Sequence, residues 1–296
     1  VGFERFYKGN EANADGGELL ISELGCVSCH QVDDELFARI GRSRAPLLKS
    51  VGARLNPEYL EKFVSDPSSV QPGTRMPGLF GKWPEEEKNR AVRDLTSFLV
   101  SQGGPFQNHG TSLSFDESER GKKLYHSVGC VACHAALQPP GTEPGGEEEI
   151  YQTVRIETPE IEIPSAPIPN QRLKTALRPL ADFLENPLET RPSGRMPQMG
   201  LERGEARAIA TYLLDESRLG QGSEQPRSSP EPIDPESLDR GKRLFFRRRC
   251  AACHQIESDQ KVVESIPSSP RLVELDPDDP DGCLGSAPAR QSPILI

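Results

Sequence analysis

The sequence predicts a mainly α-helical chain of three consecutive units, two complete and a third apparently truncated. The first observation is an internal repeat, because a Cys-x-x-Cys pair begins at Cys26, Cys130 and Cys250. The second is helical periodicity, since apolar residues recur at i, i+3 and i+4. The third is composition, because stretches rich in Pro and Gly separate the units. Together these observations favour small helical domains joined by linkers.

A short helix is predicted to lead into each cysteine pair. Glycine, leucine and a bulky apolar residue stand at constant positions before the pairs: Gly17, Gly121 and Gly241, then Leu20, Leu124 and Leu244, then Ile21, Tyr125 and Phe245. Acidic residues lie near the start of the second and third copies, where the helix dipole favours them.

The second halves of the first two units match without a gap. Leu60, Phe63, Pro67, Pro72, Arg75, Met76 and Pro77 correspond to Leu180, Phe183, Pro187, Pro192, Arg195, Met196 and Pro197. Each half closes with an amphipathic helix, with Leu95, Phe98 and Leu99 in one and Ile209, Tyr212 and Leu213 in the other. The third unit has neither part before Ile296, so we expect the natural chain to continue or this unit to complete itself differently.

These features divide the chain into domains at 1–108, 109–222 and 223–296. The linkers are a Gly/Ser/Asn-rich stretch at 100–116 and a proline-rich stretch at 220–236. An acidic, proline-studded insertion at about 139–170 interrupts the second domain, and its alternating run at 154–164 has the pattern of a short edge strand.

Charge and hydrophobic content exclude several function classes. The net charge is −10, which argues against a nucleic-acid partner and favours proteins with basic docking faces. No run of about 20 apolar residues is present, so no transmembrane segment is predicted. Hydrophobic residues make up only 34% of the chain. This low hydrophobic content suggests that a cofactor fills part of the interior of each unit.

Histidine follows each cysteine pair directly, as His30, His134 and His254. Cys-x-x-Cys-His is the attachment signature of haem c, in which the two thiols form thioethers and the histidine binds the iron. The sequence therefore predicts three covalent haems, attached at Cys26 and Cys29, at Cys130 and Cys133, and at Cys250 and Cys253. Structural zinc needs four ligands per ion, usually two cysteine pairs, so three pairs would leave one pair over. A thioredoxin-like site needs a βαβ context, which this sequence does not show.

The second axial ligands are predicted only for the first two haems. Met76 and Met196 lie in matching Arg-Met-Pro segments after His30 and His134, and a thioether binds ferrous iron well. Met199 is a local rival to Met196. The third haem has no methionine of its own, and His109 and His126 are interpreted as a linker residue and a helix residue. Cys283 remains open as a thiolate ligand, a free thiol, an intermolecular link or a buried apolar side chain.

Two kinds of supporting residue follow from the same chemistry. An iron-binding histidine usually donates its other N–H to a carbonyl, and proline–leucine segments at Pro46, Pro169 and Pro270 could supply it. Arg75 and Arg195 are candidates to pair with haem propionates.

With these motifs in hand, the chain resembles the class I cytochrome c family repeated in tandem. The resemblance covers residues 10–220 and the start of a third module. It implies a helical fold around each haem, with Gly17 and Gly121 where an early helix touches the late helices that carry Phe98 and Tyr212. The chain also resembles, more loosely, planctomycete-type multihaem cytochromes, which often carry cytochrome units beside other domains.

The resemblance implies electron transfer between redox partners outside the cytoplasm, in the periplasm or beyond, because haem c is attached there. Two alternatives stay open. The chain could be an electron-accepting cytochrome subunit or segment of a larger dehydrogenase or multidomain protein, or a haem enzyme of the peroxidase or reductase type that uses the third haem.

Overall fold

The computed structural model describes residues 13–40, 45–72, 74–81, 83–106, 113–134, 168, 171–194, 196–215, 234–256 and 269–276. The regular elements in this part of the chain are helical, as the sequence predicts. The α-helices are α1 (Ala14–Leu24), α2 (Asp34–Ile40), α3 (Val51–Arg54), α4 (Pro57–Ser65), α5 (Pro67–Val70), α6 (Glu85–Val100), α7 (Phe115–Ser127), α8 (Gln171–Lys174), α9 (Leu177–Glu185), α10 (Pro187–Thr190), α11 (Arg203–Leu214) and α12 (Pro235–Arg247).

Several sequence predictions fall outside these residues. They are the edge strand at 154–164, His109, Pro169, Arg195 and Cys283.

The ungapped repeat is visible in the helix bounds. Helices α3, α4 and α5 begin and end at the residues that correspond to the ends of α8, α9 and α10. Proline opens α4, α5 and α10, where its fixed φ suits the first turn and its missing N–H costs no hydrogen bond. The two series also touch, because an isolated antiparallel bridge joins the corresponding residues Leu55 and Thr175.

Helices α7 and α11 of the second unit cross at a glycine, as the family resemblance implies. A Cβ on Gly121 would stand 1.9 Å from the carbonyl oxygen of Ala208, so only glycine allows this approach. The rings of Tyr125 and Tyr212 pack beside the crossing with centroids 5.7 Å apart. Polar contacts flank it, since the Ser118 hydroxyl donates to Asp215 at 2.7 Å.

The corresponding crossing in the first unit is made by a helix from the third. Helix α12 packs against α6, and a Cβ on Gly241 would stand 1.9 Å from the carbonyl oxygen of Asp94. The rings of Phe98 and Phe245 pack with centroids 5.5 Å apart. A Cβ on Gly17 would meet nothing within 4 Å. The expectation that Gly17 touches the helix of Phe98 is therefore wrong, because Gly241 holds that place.

A buried carboxylate explains which helix α6 accepts. The Asp94 side chain is almost fully buried and receives the Ser237 hydroxyl at 2.6 Å. It also receives two N–H groups of Arg240, from Nε at 2.9 Å and Nη2 at 3.1 Å. The positions of α1 that correspond to Ser237 and Arg240 hold Asn13 and Gly16. Because α1 contains no Lys or Arg, it would leave Asp94 buried without a cation, which is strongly unfavourable.

Helix α1 packs instead against α2. Arg39 of α2 donates to both carboxylate oxygens of Glu18, from Nη2 at 2.7 Å and from Nε at 3.1 Å. At its other end α1 meets the Met76 segment, where Arg75 Nη1 donates to the carbonyl oxygen of Glu23 at 3.2 Å. The domain boundaries at 1–108, 109–222 and 223–296 stay a prediction, but one core contains residues from both the first and the third segment.

No helix in the described ranges is long and apolar enough to cross a membrane.

The two glycines give a direct test of this packing. We expect Gly241→Ala to lower the free energy of unfolding by about 3 kcal/mol, because the new methyl group must push the α6 backbone away. The matched control is Gly17→Ala, which meets open space and should be neutral or stabilising by up to about 1 kcal/mol. Urea unfolding followed by circular dichroism measures both, and a larger loss for Gly17→Ala would contradict the α6–α12 pairing.

Candidate functional site

The three Cys-x-x-Cys-His segments adopt the same local structure. A single 3₁₀ turn spans Cys26–Ser28, Cys130–Ala132 and Cys250–Ala252. In every copy the histidine N–H donates to the carbonyl oxygen of the first cysteine at 2.9 Å. This turn places both thiols and the imidazole at the end of a leading helix, in one arrangement repeated three times.

The residue before each turn has a left-handed backbone. Gly25 and Gly129 have φ of 70° and 95°, which glycine adopts without strain. Arg249 occupies the third position with φ of 54°, an uncommon value for a side chain with a Cβ. Its Nη1 donates to the Ser269 hydroxyl at 2.5 Å, a contact that helps to hold the strained residue.

Backbone carbonyls orient two of the three imidazoles. Nδ1 of His254 lies 2.8 Å from the carbonyl oxygen of Pro46, and Nδ1 of His30 lies 2.8 Å from that of Pro270. A carbonyl oxygen accepts a hydrogen bond from Nδ1–H, so in the neutral ring Nε2 keeps its lone pair free for a metal ion. Two of the three predicted prolines, Pro46 and Pro270, thus contact a histidine, and Pro169 lies outside the described residues. The structure exchanges the partners, since Pro46 follows His30 in sequence but binds His254.

Burial disfavours charged forms in the second and third motifs. Desolvation lowers the pKa of His254, although the hydrogen bond to Pro46 acts in the opposite direction. Desolvation also raises the pKa of Cys250 to about 12. Cys130 in the second motif has its pKa raised for the same reason. The surroundings of these three side chains thus favour the uncharged imidazole and thiol over the imidazolium and thiolate.

The candidate methionines lie near two of the motifs. In the second unit, Met196, Met199 and Cys130 all pack against one buried cluster, which keeps both methionines as candidates. Met76 is partly buried in the loop that precedes α6, and its N–H donates to the Thr74 hydroxyl at 3.3 Å. Arg75, the neighbour of Met76, joins this loop to α1 through the carbonyl oxygen of Glu23.

The apolar residues that follow Met76 pack in one hydrophobic cluster with Cys250 of the third motif. Leu79, Phe80 and Trp83 belong to the same hydrophobic cluster as Cys250 and Ile256. The guanidinium of Arg248 lies over the Trp83 ring, 4.5 Å from its centroid. The residue of α1 that corresponds to Arg248 is Leu24, whose exposed fraction is 70%. The loop of Met76 therefore shares a core with Cys250.

Arg75 has an acidic neighbour in the described structure, and its pairing with a propionate stays a prediction. Its guanidinium binds the Glu23 carbonyl and lies 3.5 Å from the Glu23 carboxylate. An acidic partner thus already compensates the charge that was interpreted as a propionate partner.

Three partly buried cations between the two repeats were missed by sequence reasoning. We call Arg54, Lys174 and Arg191 the basic cluster. Nη2 of Arg54 donates to the carbonyl oxygens of Leu47 at 2.6 Å and Lys49 at 3.0 Å. Lys174 lies over the Tyr59 ring at 5.5 Å, and Arg191 over the Phe183 ring at 5.1 Å. A signal was present, since Arg54 and Lys174 correspond in the ungapped repeat.

The basic cluster has no ion-pair partner among the residues that the structure describes. Within the described ranges no carboxylate forms an ion pair with Arg54, Lys174 or Arg191. Desolvation, with repulsion from Arg191, lowers the pKa of Lys174 to about 7 and also lowers the pKa of Arg54. An anion placed among these side chains would relieve both effects.

Metal-binding side chains do not otherwise converge. In the ranges that the structure describes, no three His, Cys, Asp or Glu side chains form a group that could hold a metal ion by themselves.

Comparison with known proteins finds partial similarity. The chain is 32% identical over 84 residues to cytochrome c oxidase subunit 2 of Bacillus subtilis (strain 168), a match over 26% of this chain and 24% of that protein. It is 33% identical over 96 residues to cytochrome c oxidase subunit 2 of Bacillus sp. (strain PS3), over 30% of this chain and 26% of that protein. The chain thus spans about a quarter of the length of these curated relatives. No family model matches it, and no solved structure matches it.

Proposed function

We propose that the chain is a c-type cytochrome of the class I kind, carries three covalent haems and transfers electrons between redox partners. The observation that carries the proposal is the threefold Cys-x-x-Cys-His turn with one geometry in every copy. Thioether bonds at Cys26, Cys29, Cys130, Cys133, Cys250 and Cys253 would hold the haems. Imidazole nitrogens of His30, His134 and His254 would bind the iron.

The residues around the motifs fit such a group. His30 and His254 direct Nδ1 to a carbonyl, the arrangement that prepares Nε2 as an iron ligand. Cys130 and Cys250 sit against apolar clusters, which suits a porphyrin face. Met196 or Met199 in the second unit, and Met76 in the first, are the candidate thioether ligands. Bound between an imidazole and a thioether, haem iron supplies reversible one-electron redox chemistry at a raised potential.

The basic cluster supports the proposal independently of the motifs. Each haem c brings two propionates, and a buried cation without a carboxylate is costly unless an anion accompanies it. Arg54 binds the backbone directly beside Pro46, whose carbonyl orients His254. Arg54 and Lys174 come from opposite sides of the Leu55–Thr175 bridge. Propionates of neighbouring haems would complete this cluster, and Lys174 would regain its full charge.

An electron carrier fits better than an enzyme. At the two haems for which a methionine is proposed, iron with both axial positions filled would offer no open site to a substrate, so the chain's own residues would only hold, insulate and orient the redox group. The acidic surface, with net charge −10, suits partners that present basic docking faces. Because haem c is attached outside the cytoplasm, we propose an exported protein located in the periplasm or beyond.

A second candidate is a cytochrome segment within a larger redox complex. The similarity to cytochrome c oxidase subunit 2 of two Bacillus strains favours it, since those relatives are named as subunits of an oxidase. In that role the haems of this chain would pass electrons to or from a catalytic partner. Purification with an oxidase or dehydrogenase would support this candidate, and a stable isolated protein that exchanges electrons with small carriers would support the first.

Haem content tests the proposal directly. We expect three haems per chain by mass and by a reduced-minus-oxidised spectrum. Replacing both cysteines of one pair with serine, in each pair separately, should remove one third of the haem, because each pair anchors its own group. Bare polypeptide mass in the exported protein, or zinc instead of iron, would contradict the proposal.

Lys174 offers an electrostatic test. A cation beside a propionate stabilises the reduced haem, so Lys174→Gln should lower one midpoint potential by tens of millivolts in a redox titration. The matched control is Arg178→Gln, because the Arg178 side chain is 91% exposed and solvent screens its charge. Equal potentials for the two variants would remove the basic cluster from the argument.

Carbon monoxide distinguishes the carrier from the enzyme. The ferrous protein with filled axial positions should keep its spectrum under carbon monoxide, since the gas needs an open or displaceable site. A stoichiometric shift at one haem, together with peroxidase or reductase turnover, would favour an enzyme.

A further inference from the structure

We propose that the haem attached at Cys250 and Cys253 takes Met76 as its second axial ligand, so that the first and third segments of the chain build one haem site together. The inference rests on the proposed function, because it assigns the ligands of a haem that the proposal introduces. It departs from sequence order, which would pair Met76 with His30.

Helix packing is the first step of the argument. Helix α12 leads into the third motif, and it crosses α6 at Gly241 with backbone contact. The ring of Phe245 lies fully inside the same cluster as Val92, Leu95 and Phe98 of α6. The second unit has the same arrangement, with α7 crossing α11 at Gly121 and Met196 before α11. By this correspondence, the methionine that belongs with α12 is the one before α6, which is Met76.

The segment from Ala45 to Leu48 gives the second step of the argument. The Ala45 N–H donates to the Cys253 carbonyl at 3.3 Å, and the Leu48 N–H donates to the Gln255 carbonyl at 2.9 Å. Between them, the Pro46 carbonyl meets Nδ1 of His254. The chain that leads to Met76 is thus already fixed to the third motif before α3 begins.

The first motif has its own, different partner. Pro270 meets Nδ1 of His30, and the Leu272 N–H donates to the Gln31 carbonyl at 2.9 Å. Among the described residues, the exchange is therefore complete in both directions. Each of the two histidines receives the proline carbonyl that follows the other histidine in sequence.

The exchange has a chemical cause in two side chains of α12 and in Arg248, which follows the helix directly. Ser237 and Arg240 donate hydrogen bonds to the buried Asp94 carboxylate. The Arg248 guanidinium lies over the ring of Trp83, which belongs to the apolar segment after Met76. Helix α1 carries Asn13, Gly16 and Leu24 at the corresponding positions. None of these can neutralise Asp94 or make the cation–π contact. We therefore assign Met76 to the haem of the third motif and not to the haem at Cys26.

Optical spectra of haem-deletion variants test the ligand assignment. The full-length protein is prepared with Cys26→Ser and Cys29→Ser, or with Cys250→Ser and Cys253→Ser, each with and without Met76→Ala. The readout is the methionine-to-iron charge-transfer band of the oxidised protein, normalised to haem mass. We expect Met76→Ala to remove about half of this band in the parent protein, because two of the three haems would have methionine. It should do the same without the first haem and have no effect without the third.

The controls separate failure of this inference from failure of the proposed function. Either Met196→Ala or Met199→Ala should remove a share of the band in every background, because the second unit is contiguous and supplies its own methionine. A Met76→Ala effect that requires Cys26 and Cys29 would overturn the exchange while leaving the cytochrome proposal intact. Absence of covalent haem from the parent protein would overturn both.

A cross-link tests the helix exchange in the protein with all its motifs unchanged. The hydroxyl oxygens of Ser97 and Ser237 are 3.3 Å apart, so Ser97→Cys with Ser237→Cys should form a disulfide within one chain. The matched control, Ser97→Cys with Asn13→Cys, uses the corresponding position of α1 and should stay reduced. Peptide mapping without reductant identifies the linked pair. A link from Asn13→Cys alone, or links only between separate chains, would overturn the proposal.

Discussion

Backbone contact between two helices at a glycine is the constraint on which the rest of the structure depends. A Cβ added at Gly121 or at Gly241 would stand 1.9 Å from a carbonyl oxygen of the opposing helix, which is too close for any side chain. This closeness places the turn at the end of each leading helix over the loop before each closing helix. Because the cysteines and histidine lie in the turn and the methionine lies in the loop, the crossing determines which groups meet.

Polar side chains decide between helices that are alike in their apolar pattern. The crossing of α7 and α11 carries Ser118 with Asp215, whereas the crossing of α6 and α12 carries Asp94 with Arg240. A buried carboxylate tolerates only a partner that brings a cation or hydroxyl, so the two closing helices have different requirements. Hydrophobic matching builds both interfaces, and hydrogen bonding to buried oxygen atoms assigns the partner in each. Specificity in this chain therefore comes from a handful of polar contacts inside otherwise interchangeable surfaces.

The sequence predicted the helices before the cysteine pairs, the two closing helices and the repeat, because these depend on local spacing, and haem attachment at the cysteine pairs stays a prediction. The bounds of α3 and α8 agree residue for residue with the ungapped match, and Pro46 and Pro270 do bind histidines. Partner choice could not be read in the same way, since Gly17 and Gly241 stand in equivalent patterns. The deciding residue, Asp94, lies on the opposing helix, and the sequence pattern does not show that its carboxylate is buried. The basic cluster was also missed, because Arg54 and Arg191 are distant in sequence and meet only once the two repeats pack together.

The pairing of Asp94 with Ser237 joins residues 143 positions apart and encloses the whole second unit within one loop of chain. Closing a flexible loop of that length costs on the order of 4 kcal/mol in chain entropy, although the second unit shortens the effective loop when it folds first. During synthesis, Asp94 of α6 would stay exposed to solvent until α12 leaves the ribosome. The second unit therefore has the shortest route to its native state, and the core shared by the outer segments is assembled last. Contacts this remote in sequence also slow folding, so Cys250 stays open to solvent longer than the cysteines of the second unit.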